Sequence, residues 1–138
     1  MNHQRIEFGC NPPKLSKADT RRLEDYLSPG EWLVLTDNEA DECAKGEILS
    51  NLWAFRPSFL AGETGIPESV FTAIASNNKC EDNNEAVVAI VKATCGKDAL
   101  AQAAIDADGR GHFLASYDSK EREFRTGRGV TLFCYRVN

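Results

Sequence analysis

The stretch that most limits the fold is the last one, Val130-Thr131-Leu132-Phe133-Cys134-Tyr135-Arg136-Val137. Side chains alternate faces along a strand, so Val130, Leu132 and Cys134 fall on one side and Phe133, Tyr135 and Val137 on the other. A strand apolar on both faces needs cover on both, which places it inside a sheet or beneath helices. Glu121-Arg122-Glu123-Phe124-Arg125 precedes it across Thr126-Gly127-Arg128-Gly129, a glycine-containing turn, so 121–137 reads as a hairpin. Glu31-Trp32-Leu33-Val34-Leu35 is the third strand.

Between these strands the chain reads as helices. Thr36-Asp37-Asn38-Glu39 is a capping box, with hydroxyl and carboxylate each reaching the other residue's amide. Ala40, Ala44, Ile48, Leu52 and Phe55 then recur at steps of four and three, a helix face that Pro57 ends or kinks. Ile66-Pro67-Glu68 opens another helix, with Val70, Phe71, Ile74 and Ala75 inward. Cys80-Glu81-Asp82-Asn83-Asn84 is a polar connector. Ala86–Val91 is apolar all round; periodicity leaves strand and helix open, and its Asn cap and Gly96 stop favour a buried helix. Asp98 starts an alanine-rich helix that Gly109 terminates, and Arg110–Asp118 reads as a loop. The expected fold class is α+β: a small antiparallel sheet, strand 31–35 plus the hairpin 121–137, packed on a bundle of about four to five helices.

Residues 1–30 read as an appendage with one short helix, capped by Ser16 and striped by Leu23, Tyr26 and Leu27; residues 31–138 form the single globular domain. A chain of 138 residues buries enough surface to need no staple. Five cysteines, an odd number with no two separated by two residues, favour reduced thiols over a disulfide framework or a zinc knuckle. No apolar run suits a membrane span, and the polar start makes secretion unexpected. Net charge is −5, with residues 31–98 summing to −7 and each end to +1, so that middle disfavours a phosphate backbone.

Leu35-Thr36-Asp37 with Glu39-Ala40-Asp41-Glu42, then Leu52-Trp53-Ala54-Phe55, then Asp106–Leu114 (Asp-Ala-Asp-Gly-Arg-Gly-His-Phe-Leu) with Ser116-Tyr117-Asp118, then Tyr135-Arg136, resembles a group of small proteins encoded by bacteriophages, prophages and plasmids. The resemblance covers roughly Glu31 to Val137, and its most specific part is the Asp108–Asp118 block. It implies an accessory gene of a mobile element, acting in the bacterial host's cytoplasm. Such genes often encode stoichiometric inhibitors of host defence, anti-CRISPR proteins among them. It implies no catalytic residues.

The residues themselves offer three readings. As a binding module toward a host protein or complex, such as a CRISPR effector, the chain presents Arg110, His112, Tyr117, Asp118, Arg122, Arg125 and Arg128, and the acids Asp37, Glu39, Asp41 and Glu42. Helix-start acids favoured by the dipole also account for that last group. As a small enzyme, the chain would pair His112 with Asp108 or Asp118, although those residues serve equally well to finish a helix and hold a loop. As a single-strand nucleic-acid binder it would use Arg110, Lys120, Arg122, Arg125 and Arg128 with Tyr117 and Phe124, where Glu121 and Glu123 dilute the charge and an edge strand protected by charge is the simpler account. Cys134 or Cys80 as a nucleophile is weaker still, and no cofactor or metal is expected, because nothing has ligand spacing. Protein binding is the favoured reading.

Overall fold

In the computed structural model, which describes residues 4–77 and 83–138, the C-terminal strand lies inside a four-stranded mixed sheet of order β1-β2-β4-β3. The strands are β1 (Gln4–Phe8), β2 (Gly30–Leu35), β3 (Glu121–Arg125) and β4 (Thr131–Arg136). β4 pairs antiparallel with both neighbours, with Cys134 opposite Val34 on one side and Arg122 on the other. The sheet is not wholly antiparallel, because β1 adds to β2 in parallel, Ile6 opposite Trp32. The helices are α1 (Lys17–Tyr26), α2 (Asp37–Ser50), α3 (Pro57–Thr64), α4 (Glu68–Asn77), α5 (Asn84–Ala93), α6 (Lys97–Asp108) and α7 (Arg110–Leu114), with a 3₁₀ turn at Leu52–Ala54. The architecture is α+β. Among the described residues no helix is long and apolar enough to cross a membrane.

The chain divides into two compact units: the segment up to Ala44 with Asp108–Asn138, and Lys45–Ala107. In the first, one sheet face is covered by α1. Leu23 and Leu27 pack with Trp32, Val34, Phe124, Leu132 and Cys134, and Ile6 and Leu15 pack against that cluster. Residues 4–30 are therefore not the expected appendage. A narrow stripe of two leucines suffices because the strands supply the rest of the core, and Gln4 ties β1 to α1 by donating to the carbonyls of Glu24 and Leu27 at 2.8 and 2.7 Å. The opposite face carries Leu35 and Tyr135, both buried, and Phe133.

The second unit buries Ile48, Leu52, Leu60, Phe71, Val87, Val91, Leu100, Ala101 and Ala104. α2 stops at Ser50, and Pro57 stands at the start of α3 instead of closing α2, where its missing amide has no helical partner to lose. The 86–91 segment is helical, within α5. Asn84 stitches its start to the end of α2, accepting from the Trp53 amide at 3.2 Å and donating to the Leu49 carbonyl at 2.8 Å. Val70, expected inward, is exposed. His3, Cys80 and the Cys80–Asp82 part of the connector lie outside the described residues.

Candidate functional site

Arg110–Asp118 is not a loop. Arg110–Leu114 is a helix, entered through Gly109 at φ 84° and followed by a turn over Ala115–Ser119 in which the Ser119 amide donates to the Ala115 carbonyl at 2.7 Å. The two glycines conceal the helix from a propensity reading, yet Gly111 is what admits it. A Cβ there would lie 2.8 Å from the backbone of Ser119, Lys120 and Glu121, so α7 packs directly on the approach to β3.

Arg110 turns inward and its side chain is only 11% exposed. Its Nε donates to Glu121 at 2.8 Å; its Nη1 donates to the Asp37 carboxylate at 2.8 Å, the Asp37 carbonyl at 3.1 Å and Asp41 at 3.0 Å. The guanidinium lies 4.5 Å from the centroid of the Phe133 ring. Burial opposes its charge, but Glu121 and Asp37 outweigh that and raise its pKa further. Tyr135, fully buried, donates its hydroxyl to the same Glu121 oxygen, and burial raises that hydroxyl's pKa. Arg110 thus ties the start of α2 to the sheet, through the more exposed carboxylates of Asp37 and Asp41 on one side and Glu121 on the other.

Glu39 is equally committed. It closes the capping box, accepting from the Thr36 amide at 3.0 Å while its own amide donates to the Thr36 hydroxyl at 3.3 Å. Its second oxygen accepts from the Asn11 amide at 2.9 Å, and these amides hold the carboxyl below its ordinary value. Only Glu42 of the acidic run is exposed without an ion-pair partner among the described residues.

His112 is exposed and lies edge-on to Phe113, with ring centroids 5.0 Å apart. Asp118 accepts from the Lys120 amide at 3.1 Å and pairs with Arg122 at 2.9 Å. Burial opposes its ionisation, but Arg122 and the Lys120 amide outweigh it and lower its pKa. Asp118 is thus engaged away from His112, and Asp108 is exposed at the end of α6. Among the described residues no hydrogen bond joins His112 to either acid. Cys134 is fully buried and its thiol is pushed up to about 12 by burial, which withholds the thiolate a nucleophile requires.

Two surface features remain. The first is a stack of alternating cations and aromatics: Arg122 lies 5.1 Å from the Trp32 ring, Arg136 lies 6.0 Å from the same ring, and Arg136 lies 3.9 Å from the Tyr117 ring. Tyr117 ends the stack, 59% exposed, with its amide bonded to the Arg136 carbonyl at 3.1 Å. Tyr117, Asp118 and Arg122 are thus brought together, joined by Trp32 and Arg136, which are not among the binding residues expected from the sequence. Register supplies the missing link, because Trp32 and Arg136 are direct neighbours across β2 and β4.

The second feature is a cleft of about 480 Å³ between the Pro13–Ala18 segment and the β3–β4 turn. Lys14, Arg22 and Arg128 line it together with Pro13, Leu15 and Val130. Asp19, nearly buried, accepts from the Gly127 amide at 3.0 Å and from Arg22 at 2.8 Å, pinning the turn to α1. Arg125, exposed, accepts from Arg22 through its carbonyl at 3.1 Å. Lys14 and Arg22 carry no motif in the sequence, where their segment reads as an appendage; the +1 balance of residues 1–30 is their only trace. Compared with protein-family models, with curated proteins and with solved structures, this chain matches none.

Proposed function

We propose that this chain works by stoichiometric binding to another protein, through the surface centred on Tyr117. The observation that carries this reading is a large aromatic ring left 59% exposed and yet held from behind by Arg136 at 3.9 Å. A ring already fixed in place loses little conformational freedom on docking, and tyrosine and arginine dominate the energetic centres of interfaces. The resemblance to proteins of mobile elements directs the search for the partner to host defence complexes, a CRISPR effector among them. On this reading the protein is an inhibitor made in the bacterial host's cytoplasm.

The test is capture by the tagged full chain from a nuclease-treated lysate of a bacterium carrying defence systems, read by mass spectrometry. One dominant protein is expected, and Tyr117→Ala should weaken its capture by about thirtyfold, in the range of an interface anchor. The same substitution should change folding stability by less than about 0.5 kcal/mol, because it lies on the surface. Capture unaffected by Tyr117→Ala, or recovery of nucleic acid alone before nuclease treatment, would overturn the proposal.

A further inference from the structure

The cleft beside the β3–β4 turn lies at the other end of the hairpin from Tyr117, since Arg125 pairs with Thr131 at the turn and Glu121 with Tyr135 at the open end. We infer that this cleft is a second binding site, and that its ligand is an extended acidic segment of a protein in which carboxylates alternate with aliphatic side chains.

Charge is the first ground. Three cations line the cleft, Lys14, Arg22 and Arg128, and the one carboxylate among its lining residues, Asp19, is already bonded to Gly127 and Arg22. Lys14 and Arg128 are exposed and have no ion-pair partner among the described residues. The positive surface continues along α1, where a shallower groove shares Leu15 and adds Lys17 and Arg21 against Glu24. In a chain of net charge −5 this is a local reversal of sign, and such a patch attracts and orients an anionic partner.

Shape and stiffness are the second ground. A volume near 480 Å³ suits a few side chains, and Pro13, Leu15 and Val130, the last 40% exposed, give them apolar walls. The turn that carries Arg128 is fixed at several points. Thr126 exchanges backbone bonds with Val130 and Gly129, its hydroxyl accepts from the Val130 amide at 3.1 Å, and Asp19 clamps Gly127. A site held this way loses little freedom on binding.

The lining chemistry separates the anionic ligands. Single-stranded nucleic acid is gripped by aromatic side chains on which bases stack. The described residues lining this cleft are aliphatic or polar, and Tyr26 and Phe124 meet at a tilt outside the lining set, with Arg22 over Phe124. Aliphatic walls between cations suit leucine-like side chains between carboxylates.

Fluorescence anisotropy on the full chain tests this with a labelled octapeptide alternating glutamate and leucine. The comparison probes are the glutamine–leucine and glutamate–serine peptides and a twelve-nucleotide oligothymidylate. The glutamate–leucine peptide should bind tightest of the four, with affinity falling as salt rises. Arg128→Glu and Lys14→Glu, both at exposed positions, should each weaken it by about tenfold or more, the scale of one lost ion pair in a partly desolvated site. Lys92→Glu in α5 and Tyr117→Ala should leave it unchanged. Tighter binding of oligothymidylate would reassign the cleft to nucleic acid. Failure of all four probes, or peptide binding indifferent to Arg128→Glu and Lys14→Glu, would overturn the site. Because Tyr117→Ala is silent here, failure of this inference is separable from failure of the Tyr117 surface.

Discussion

Arg110 touches three pieces of chain that are distant in sequence: the start of α2 through Asp37 and Asp41, the start of β3 through Glu121, and β4 through Phe133. Removing the cation would leave those carboxylates facing one another, a larger loss than the ion pairs alone. Arg110→Met should therefore destabilise the protein by about 2–3 kcal/mol by urea denaturation, below the range for fully buried pairs because Asp37 is 68% exposed. Arg110→Lys should recover only part of this, since one ammonium cannot serve Glu121 through Nε and Asp37 and Asp41 through Nη1. Glu39 makes a prediction in pH. The Asn11 and Thr36 amides hold its carboxyl below the ordinary value of 4.5, so the folded state binds this proton less readily than the unfolded one. Its contribution is complete above about pH 4.5 and is lost as pH falls through the lowered value. The stability gap between wild type and Glu39→Gln, measured in urea at neutral and at acid pH, should therefore narrow on acidification; a gap that stays constant would show that the charge contributes nothing. The capping box behind this was legible in the sequence because its two members are three residues apart. The Arg110 cluster was not, because its partners lie up to 73 residues away and nothing local announces them.

At the scale of elements, α7 shows where propensity fails. Arg-Gly-His-Phe-Leu is a poor helix by composition, since glycine costs roughly 1 kcal/mol against alanine in a helix. Its one turn forms because Leu114 and Ala115 are buried, Arg110 is anchored, and Gly111 lets the backbone of Ser119 through Glu121 approach to 2.8 Å of where a Cβ would stand. The same glycine that reads as a helix breaker is thus the one that permits close packing. Gly111→Ala should lower stability by about 1–3 kcal/mol, because the neighbouring atoms are backbone and must move as a piece. Gly109→Ala tests a different cause: the space is open but φ is 84°, so the loss there is conformational strain alone. Thermal melts of the two variants check both, and a Gly111→Ala protein as stable as wild type would mean that α7 does not lie against β3. β4, by contrast, was visible from apolar residues on both faces, because that signal lies within the element. The helical state of α5 was not fixed by periodicity, since Ala86–Val91 is apolar all round, and only the flanking Asn and Gly96 favoured it.

At the scale of the whole molecule, the role of residues 4–30 was the largest feature the sequence concealed. Two leucines on an otherwise polar helix look too few to pack, and they are too few until Trp32, Val34, Phe124, Leu132 and Cys134 are placed opposite them. Trp32 and Val34 stand in the next strand, but Phe124, Leu132 and Cys134 come from strands about 100 residues further on, and only tertiary pairing reveals them. Burying two leucine side chains is worth about 3–6 kcal/mol, a large share of a typical domain's total of about 5–15 kcal/mol. A chain starting at Glu31, which keeps the whole block resembling mobile-element proteins, should therefore fail to fold as a cooperative unit. It would also leave β2 as an open edge without β1, and would uncover Trp32, which is 2% exposed in the intact sheet. Bound anilinonaphthalene sulfonate and a lost near-ultraviolet dichroism signal would record that outcome. If the shortened chain instead unfolds in one sharp urea transition at the midpoint of the intact protein, residues 4–30 contribute nothing to the first unit's stability, and the cleft they help to line loses its rigid wall.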